Sequence, residues 1–374
     1  EAPDYTGGSA GFGLKYPDVL GKPAKSAAPA AAAADGAEDA QFAPRFRGII
    51  SECFDAYLSS WVQHEEKQLL DVLDKATAPS VDEIMRQDDE SHDDDDEGVA
   101  GFLYTSALSV FAAMKSSMTK CSGFSTHNTL FDVFKVFQKV MAQYVDRLSS
   151  HLPARIGAPL DAAAVKSVCC VIGTAEYCDE TLPQLSELLQ RVISADFEDR
   201  VTFANEQELL GNLMNRANQV LVQSVSCSLD KAFGEMTRTN WAQFSQDVGD
   251  HSPYVGDIST SLSRQFGPIA SSLSKIHYRF FCDKFVQAFV KKFIDEIFRC
   301  RKISEQGAQQ LLLDTALIKT TLLETPVVAG NGRQMQTAYS NYVLREMGRA
   351  ETMLKVLSSP DVVDASSVRA LLGD

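Results

Sequence analysis

Through most of this chain the apolar residues return every third or fourth position, and almost nowhere every second. That period constrains the fold more than any other feature, because side chains spaced this way share one face of an α-helix. The fullest run lies between Lys275 and Lys302. There Phe281, Phe285, Phe289, Phe293 and Ile297 form one row, and Val286, Val290, Ile294 and Phe298 form the next. Together they predict a broad apolar face for burial. Helical patterns also cover 45–77, 99–119, 126–151, 161–178, 182–194, 205–236, 255–266, 268–300, 304–323, 335–358 and 362–372. The best strand candidate, Cys169 to Ile172, is embedded in a helical period. Pro183 and Pro268 suit first-turn positions, and Pro326 and Pro360 suit positions just after a helix end. No fixed-period repeat argues for a regular solenoid. The expected class is therefore all-α, built as tandem helical bundles.

A length of 374 residues exceeds one ordinary core and suits two domains. Residues 1–44 are rich in Gly, Ala and Pro and carry too few large apolar residues to build a core, so they read as a disordered linker. Gly7, Gly8, Gly11 and Gly13 do not make a phosphate-binding pattern, and no strand or apolar helix flanks them. Residues 45–155 read as a middle helical bundle, interrupted by an acidic disordered insertion at 86–98. Pro153, Gly157 and Pro159 mark the expected boundary, and 156–374 reads as one or more C-terminal bundles. The chain starts at Glu1 without methionine, so a fragment of something longer is expected.

Several functions lose their footing. A net charge of −15 argues against duplex nucleic acid as the main partner. The eight cysteines include no C-x-x-C pair and mostly fall in apolar helical patterns, as reduced thiols of a cytosolic protein would. His64, His92, His127, His151, His251 and His277 show no metal-ligand spacing. Asp93, Asp95, Glu97 and Gly98 imitate the start of a calcium loop, but Tyr104 stands where the bidentate glutamate is required. His251-Ser252 lacks the G-x-S-x-G elbow of a nucleophilic serine. No catalytic set, metal or cofactor is expected, and no run approaches the about 20 apolar residues of a transmembrane helix.

Two stretches remain as candidate surfaces. The break Gly249, Asp250, His251, Ser252, Pro253 and Tyr254 separates long helical patterns. There Asp250 and Ser252 can hydrogen-bond nearby backbone, and Pro253 presets φ. The second is the polar side of 275–302, which includes Lys284, Lys291, Lys292, Arg299, Arg301 and Lys302. It carries eight basic residues against three acidic ones, a local balance of +5. Such a patch could meet anionic headgroups. The simpler reading, a core helix with its lysines on the wet side, is favoured.

Several segments, in order, resemble the vacuolar protein sorting-associated protein 53 family. They are Ile49 to Phe54 with Tyr57-Leu58, Gly173 to Cys178 with Thr181, Val248 to Val255, Gly307 to Thr315 running on to Leu322 through Pro326, and Arg349-Ala350-Glu351 with Leu354-Lys355-Val356. The resemblance covers about 45–358. It implies an elongated rod of helical bundles of the multisubunit tethering (CATCHR) type, without enzymatic activity. It implies partners: vacuolar protein sorting proteins 51, 52 and 54 in the Golgi-associated retrograde protein complex, or syndetin in the endosome-associated recycling version. It further implies capture of endosome-derived vesicles, contacts with SNAREs, and a cytoplasmic, peripheral place on trans-Golgi network and endosome membranes. The N-terminal coiled coil of the family is missing here, the acidic insertion and Ala-rich linker have no match, and the chain stops soon after Pro360, where family members continue with further helix. A missing terminal helix would leave apolar surface open there. A different helical tether subunit, of exocyst or conserved oligomeric Golgi type, and a lone adaptor for acidic membranes are the alternatives. On the residues themselves, Gly307 suits a close approach by a neighbour, and Leu311, Leu312, Leu317, Ile318, Leu322 and Leu323 suit a buried stripe.

Overall fold

The computed structural model describes residues 57–86, 101–155, 157–243, 249–330, 335 and 337–358. The expected linker 1–44, the acidic insertion apart from Arg86, and the helical pattern at 362–372 lie outside the described residues. Among the described residues there are eleven helices and one two-stranded ribbon. The fold is all-α, as the apolar period requires.

The elements run α1 (Ser59–Ala76), β1 (Ile84–Arg86), β2 (Phe102–Tyr104), α2 (Ser106–Ser122), α3 (Asn128–Ser150), α4 (Ala162–Gln190) and α5 (Ala195–Glu198). They continue with α6 (Ala204–Ser228), α7 (Asp230–Arg238), a 3-10 turn (Trp241–Gln243), α8 (Pro253–Ala270), α9 (Lys275–Arg299), α10 (Glu305–Ala329) and α11 (Thr337–Leu357). The chain divides into two compact units, 1–147 with 174–211, and 148–173 with 212–374. The divisions at 147/148, 173/174 and 211/212 fall within α3, α4 and α6, helices of 23, 29 and 25 residues.

In the first unit α1 packs on α2, and the ribbon sits between them in sequence. Its register pairs Ile84 with Tyr104 and Met85 with Leu103, antiparallel. Side chains around the ribbon hold it in place. The Tyr104 N–H donates to Thr174 Oγ1 (2.9 Å), and Ser106 N–H donates to Asp82 Oδ1 (3.0 Å). Ser106 and Tyr144 share a buried hydroxyl contact of 2.7 Å. The pattern at 99–119 predicted helix throughout. Three residues per strand are too few to show a period of two, so the ribbon stays hidden until its partners fix it.

In the second unit α7 and α9 pack through Phe233, whose ring lies 5.7 Å from Phe289 and 6.4 Å from Phe293. The long apolar row of α9 is buried, from Phe281 through Ile297. Phe298 departs from the expectation and is 71% exposed. Leu317 departs likewise: it faces solvent while Leu311, Ile318 and Leu322 are buried on α10.

Three prolines were read as helix boundaries, and the structure corrects all three. Pro183 lies inside the single helix α4, where 161–178 and 182–194 had suggested two. Within the same helix Thr181 donates its hydroxyl to the Tyr177 carbonyl (2.6 Å) and Gln184 its amide to the Glu180 carbonyl (3.3 Å). Pro268 lies inside α8 near its end, and its ring removes the N–H that would have reached the Arg264 carbonyl. Pro326 lies inside α10. The carbonyl it leaves without a helical donor is that of Leu322, and the Tyr339 hydroxyl donates to it at 2.7 Å. Tyr278 in turn donates to the Pro326 carbonyl at 2.9 Å. Conversely, 205–236 breaks at Leu229 into α6 and α7. Ser226 and Ser228 hydroxyls there donate to the carbonyls of Val222 (2.8 Å) and Val225 (2.6 Å), competing with the helical ladder.

Tyr339→Phe is expected to cost about 1–3 kcal/mol, because it strands a buried carbonyl. In a Pro326→Ala background, where a backbone N–H can return to Leu322, the cost of Tyr339→Phe falls. Chemical denaturation of the four variants measures both effects.

Candidate functional site

The break at 249–254 is fastened from below by α10. Asp314 is fully buried, and its carboxylate collects three donors. The Ser252 N–H donates to Oδ1 (2.9 Å), the Tyr254 hydroxyl to Oδ2 (2.8 Å), and the Gln310 amide to Oδ1 (3.2 Å). The same Gln310 nitrogen also donates to the Asp250 carbonyl at 2.7 Å. Burial, and then the neighbouring Asp314 charge, hold the Tyr254 phenol well above its usual range, so it stays a donor. Pro253 opens α8 at its first position, where a missing N–H costs nothing.

The six residues named from sequence therefore separate. Tyr254 is 2% exposed and belongs to the core, which corrects its assignment to a surface. Ser252 is half-buried and contributes its backbone N–H. Gly249, Asp250, His251 and Pro253 are exposed. Asp250 does accept from nearby backbone, the His251 N–H at 2.8 Å, and its Oδ1 also lies 2.9 Å from His251 Nδ1.

A second knot lies at the start of α10. The Trp241 carbonyl accepts from the Ser304 N–H (3.0 Å) and the Ser304 hydroxyl (2.8 Å). Gly307 lies under the same carbonyl: a Cβ there would stand 2.5 Å from the Trp241 oxygen. The close approach expected of Gly307 is present, and a side chain has no room. Trp241 is itself fully buried and donates Nε1–H to the Met236 carbonyl at 2.9 Å.

The basic residues of 275–302 also divide. Lys284, Lys291, Arg301 and Lys302 are exposed, with the Lys284 ammonium 5.3 Å from the Phe280 ring centre. Arg299 is exposed and pairs with Glu296 at 2.7 Å. Lys292 is half-buried, pairs with Asp230, donates to the Ser226 carbonyl (3.3 Å) and covers the Phe233 ring. It therefore binds α9 to the end of α6 and to α7. The wet side of a core helix is thus the larger part of this face.

Among the described residues no group of three or more His, Cys, Asp or Glu side chains could hold a metal ion. The calcium-loop imitation lies outside them, except Tyr104, which pairs in β2. Of the seven described cysteines, all unpaired with one another, only Cys227 is not buried, and burial pushes the Cys300 thiol up to about 11. No helix among the described residues is long and apolar enough to cross a membrane. Sequence reasoning missed Asp314 and Gln310. The available signal was a carboxylate and an amide, four residues apart, beside the apolar Leu311 and Ile318 in a helical period.

Comparison with known proteins fixes the lineage. The family model "Vacuolar protein sorting-associated protein 53 C-terminus" matches residues 309–367, a stretch that holds Gln310, Asp314 and α11. "Vacuolar protein sorting-associated protein 53 A" of Arabidopsis thaliana is 36% identical over 341 residues, covering 87% of this chain and 39% of that protein. The chain belongs to the vacuolar protein sorting-associated protein 53 family. The homologue in Caenorhabditis elegans is 30% identical over 85% of this chain and 42% of its own length. This family member thus spans about two fifths of the length of the curated relatives it matches. The solved C-terminal domain of the exocyst subunit Sec6p shares the fold, with a TM-score of 0.59, 12% identity, and coverage of 91% of this chain and 82% of that one. The fold is therefore the all-helical one of that domain.

Gly307→Ala is expected to destabilise by about 1–3 kcal/mol through overpacking against the Trp241 carbonyl. The sign is decisive, since the same change in an unobstructed helix stabilises by about 0.5–1 kcal/mol. Denaturation followed by tryptophan fluorescence reads it.

Proposed function

We propose that this chain is part of a non-enzymatic vesicle-tethering subunit that serves retrograde transport from endosomes to the trans-Golgi network and endosomal recycling. The observation that carries the reading is family membership across 87% of the chain, joined to a fold shared with an exocyst subunit. The mechanism is geometric. Rigid helical bundles carry binding surfaces, and many weak contacts combine through effective concentration. The partners proposed are the vacuolar protein sorting proteins 51, 52 and 54, or syndetin, with SNAREs or vesicle proteins at the bundle surfaces. The place of action is peripheral, on trans-Golgi network and endosome membranes. Gly249, Asp250, His251 and Pro253 form the proposed contact corner, because Asp314 and Gln310 hold that corner in one conformation before any partner arrives. Affinity purification of the tagged full-length protein tests the assembly. Recovery of the other tether subunits in near-equal amounts supports it, and clean recovery of the protein alone contradicts it.

The exposed basic side chains of 275–302 favour a second, weaker role at anionic membrane. Lys284, Lys291, Arg301 and Lys302 are the groups available for it. Lys284→Glu with Lys291→Glu should abolish flotation with phosphatidylserine-containing liposomes while leaving the fold intact. Unchanged flotation removes the lipid role. Lys292→Glu is expected to lower stability as well, since it breaks the contacts to Asp230 and Ser226.

A further inference from the structure

Along the second half of α6 lies a polar concavity of about 470 Å³ that takes no part in the contacts described above. Arg216, Gln219, Val220 and Gln223 form its α6 wall, since their spacing puts them on one helix face. Pro153 and Arg155, in the connection from α3 to α4, form the facing wall. All six belong to the second unit. Two hydrogen bonds fasten the connection to α6, one at each end of the cavity. Arg216 donates from Nη1 to Ser149 Oγ at 2.8 Å, and the Leu160 N–H donates to Ser224 Oγ at 2.9 Å. Arg216 and Ser224 stand about 12 Å apart along the helix axis, and the other three lining residues of α6 fall between them. The two walls are therefore held in place before any ligand arrives.

The charge of the cavity is one-sided. Its lining holds two guanidinium groups and no carboxylate, in a chain whose net charge is −15. Residues 212–224 of α6 contain no Asp or Glu. Residues 151–161 contain one, Asp161, and its carboxylate accepts from the Ala164 N–H at 2.8 Å at the start of α4. Among the described residues neither Arg155 nor Arg216 pairs with a carboxylate, and both are exposed. Arg216 gives one of its five N–H donors to Ser149 and keeps the rest.

We propose that this cavity binds a phosphorylated polyol, the chemistry shared by free inositol phosphates and the headgroups of phosphoinositide lipids. A guanidinium offers a planar fork of donors that matches phosphate oxygens two at a time. One arginine is carried by the helix and the other by the connection, so two phosphates on one ring can meet both. A single phosphate would leave most of the cavity unfilled, whereas its volume falls within the range of small-molecule sites. Gln219 and Gln223 each bring an amide oxygen and an amide nitrogen, which suits ring hydroxyls that donate and accept at once. Pro153 and Val220 give the carbon ring an apolar surface to lie on.

Isothermal titration calorimetry of the 374-residue chain with inositol trisphosphate tests the site. Saturable one-to-one binding is expected, and Arg155→Gln should raise Kd about tenfold or more. Lys284→Gln with Lys291→Gln removes exposed charge elsewhere on the unit and should leave Kd unchanged. Arg155 carries the test because no described hydrogen bond depends on it; Arg216→Gln also removes the bond to Ser149 and is read beside a thermal melt. Absence of saturable binding overturns the proposal, as does a Kd that Arg155→Gln does not move. Equal affinity for inorganic phosphate overturns the polyol. Flotation separates the two sources of this chemistry. Phosphatidylcholine vesicles carrying phosphatidylinositol bisphosphate that float the chain, but not Arg155→Gln, assign the site to the lipid headgroup. Binding of inositol trisphosphate without flotation assigns it to the free inositol phosphate.

Discussion

The carboxylate of Asp314 is the constraint on which the second unit turns. A buried carboxylate is costly unless donors surround it, and here the donors come from three places: the backbone of Ser252, the phenol of Tyr254 and the amide of Gln310. Meeting that requirement fixes where α8 begins, which side of the 249–254 corner faces inward, and how α8 lies on α10. The Gly307 knot does the same two turns earlier on α10, by letting the Trp241 carbonyl come closer than any other residue would allow. The segments that most resemble the family are therefore in large part anchors. Their inner atoms hold the bundle and their outer atoms are left to meet partners.

The same logic explains why proline does not end these helices. A proline inside a helix removes one donor, and the cost depends on what becomes of the orphaned carbonyl. In α10 the Tyr339 hydroxyl takes the place of the missing N–H and ties α11 to α10. In α4 the side chains of Thr181 and Gln184 donate to the Tyr177 and Glu180 carbonyls of the helix that contains Pro183. Local propensity predicted a boundary at each site, and at Pro326 a tertiary hydrogen bond overrode it.

How much was legible follows from range. The helical class and the buried aromatic row of α9 are properties of local spacing, and both were readable. The 84–86 and 102–104 strands were not, because each is three residues long and depends on Thr174, 70 residues away from Tyr104. The buried state of Tyr254 was not readable either, since its partner Asp314 lies 60 residues along the chain. Phe298 and Leu317 continue apolar rows in sequence but stand where the facing helices no longer cover them. Periodicity names a face; it does not say how far along the helix the neighbour extends.

A double-mutant cycle on Tyr254 and Asp314 reaches the central claim most directly. Tyr254→Phe, Asp314→Asn and the pair are compared by chemical denaturation. If the carboxylate pins the corner, the two losses are far from additive, with a coupling of about 1–3 kcal/mol. Additive losses would mean that the contact is incidental and that something other than Asp314 holds the 249–254 corner to α10.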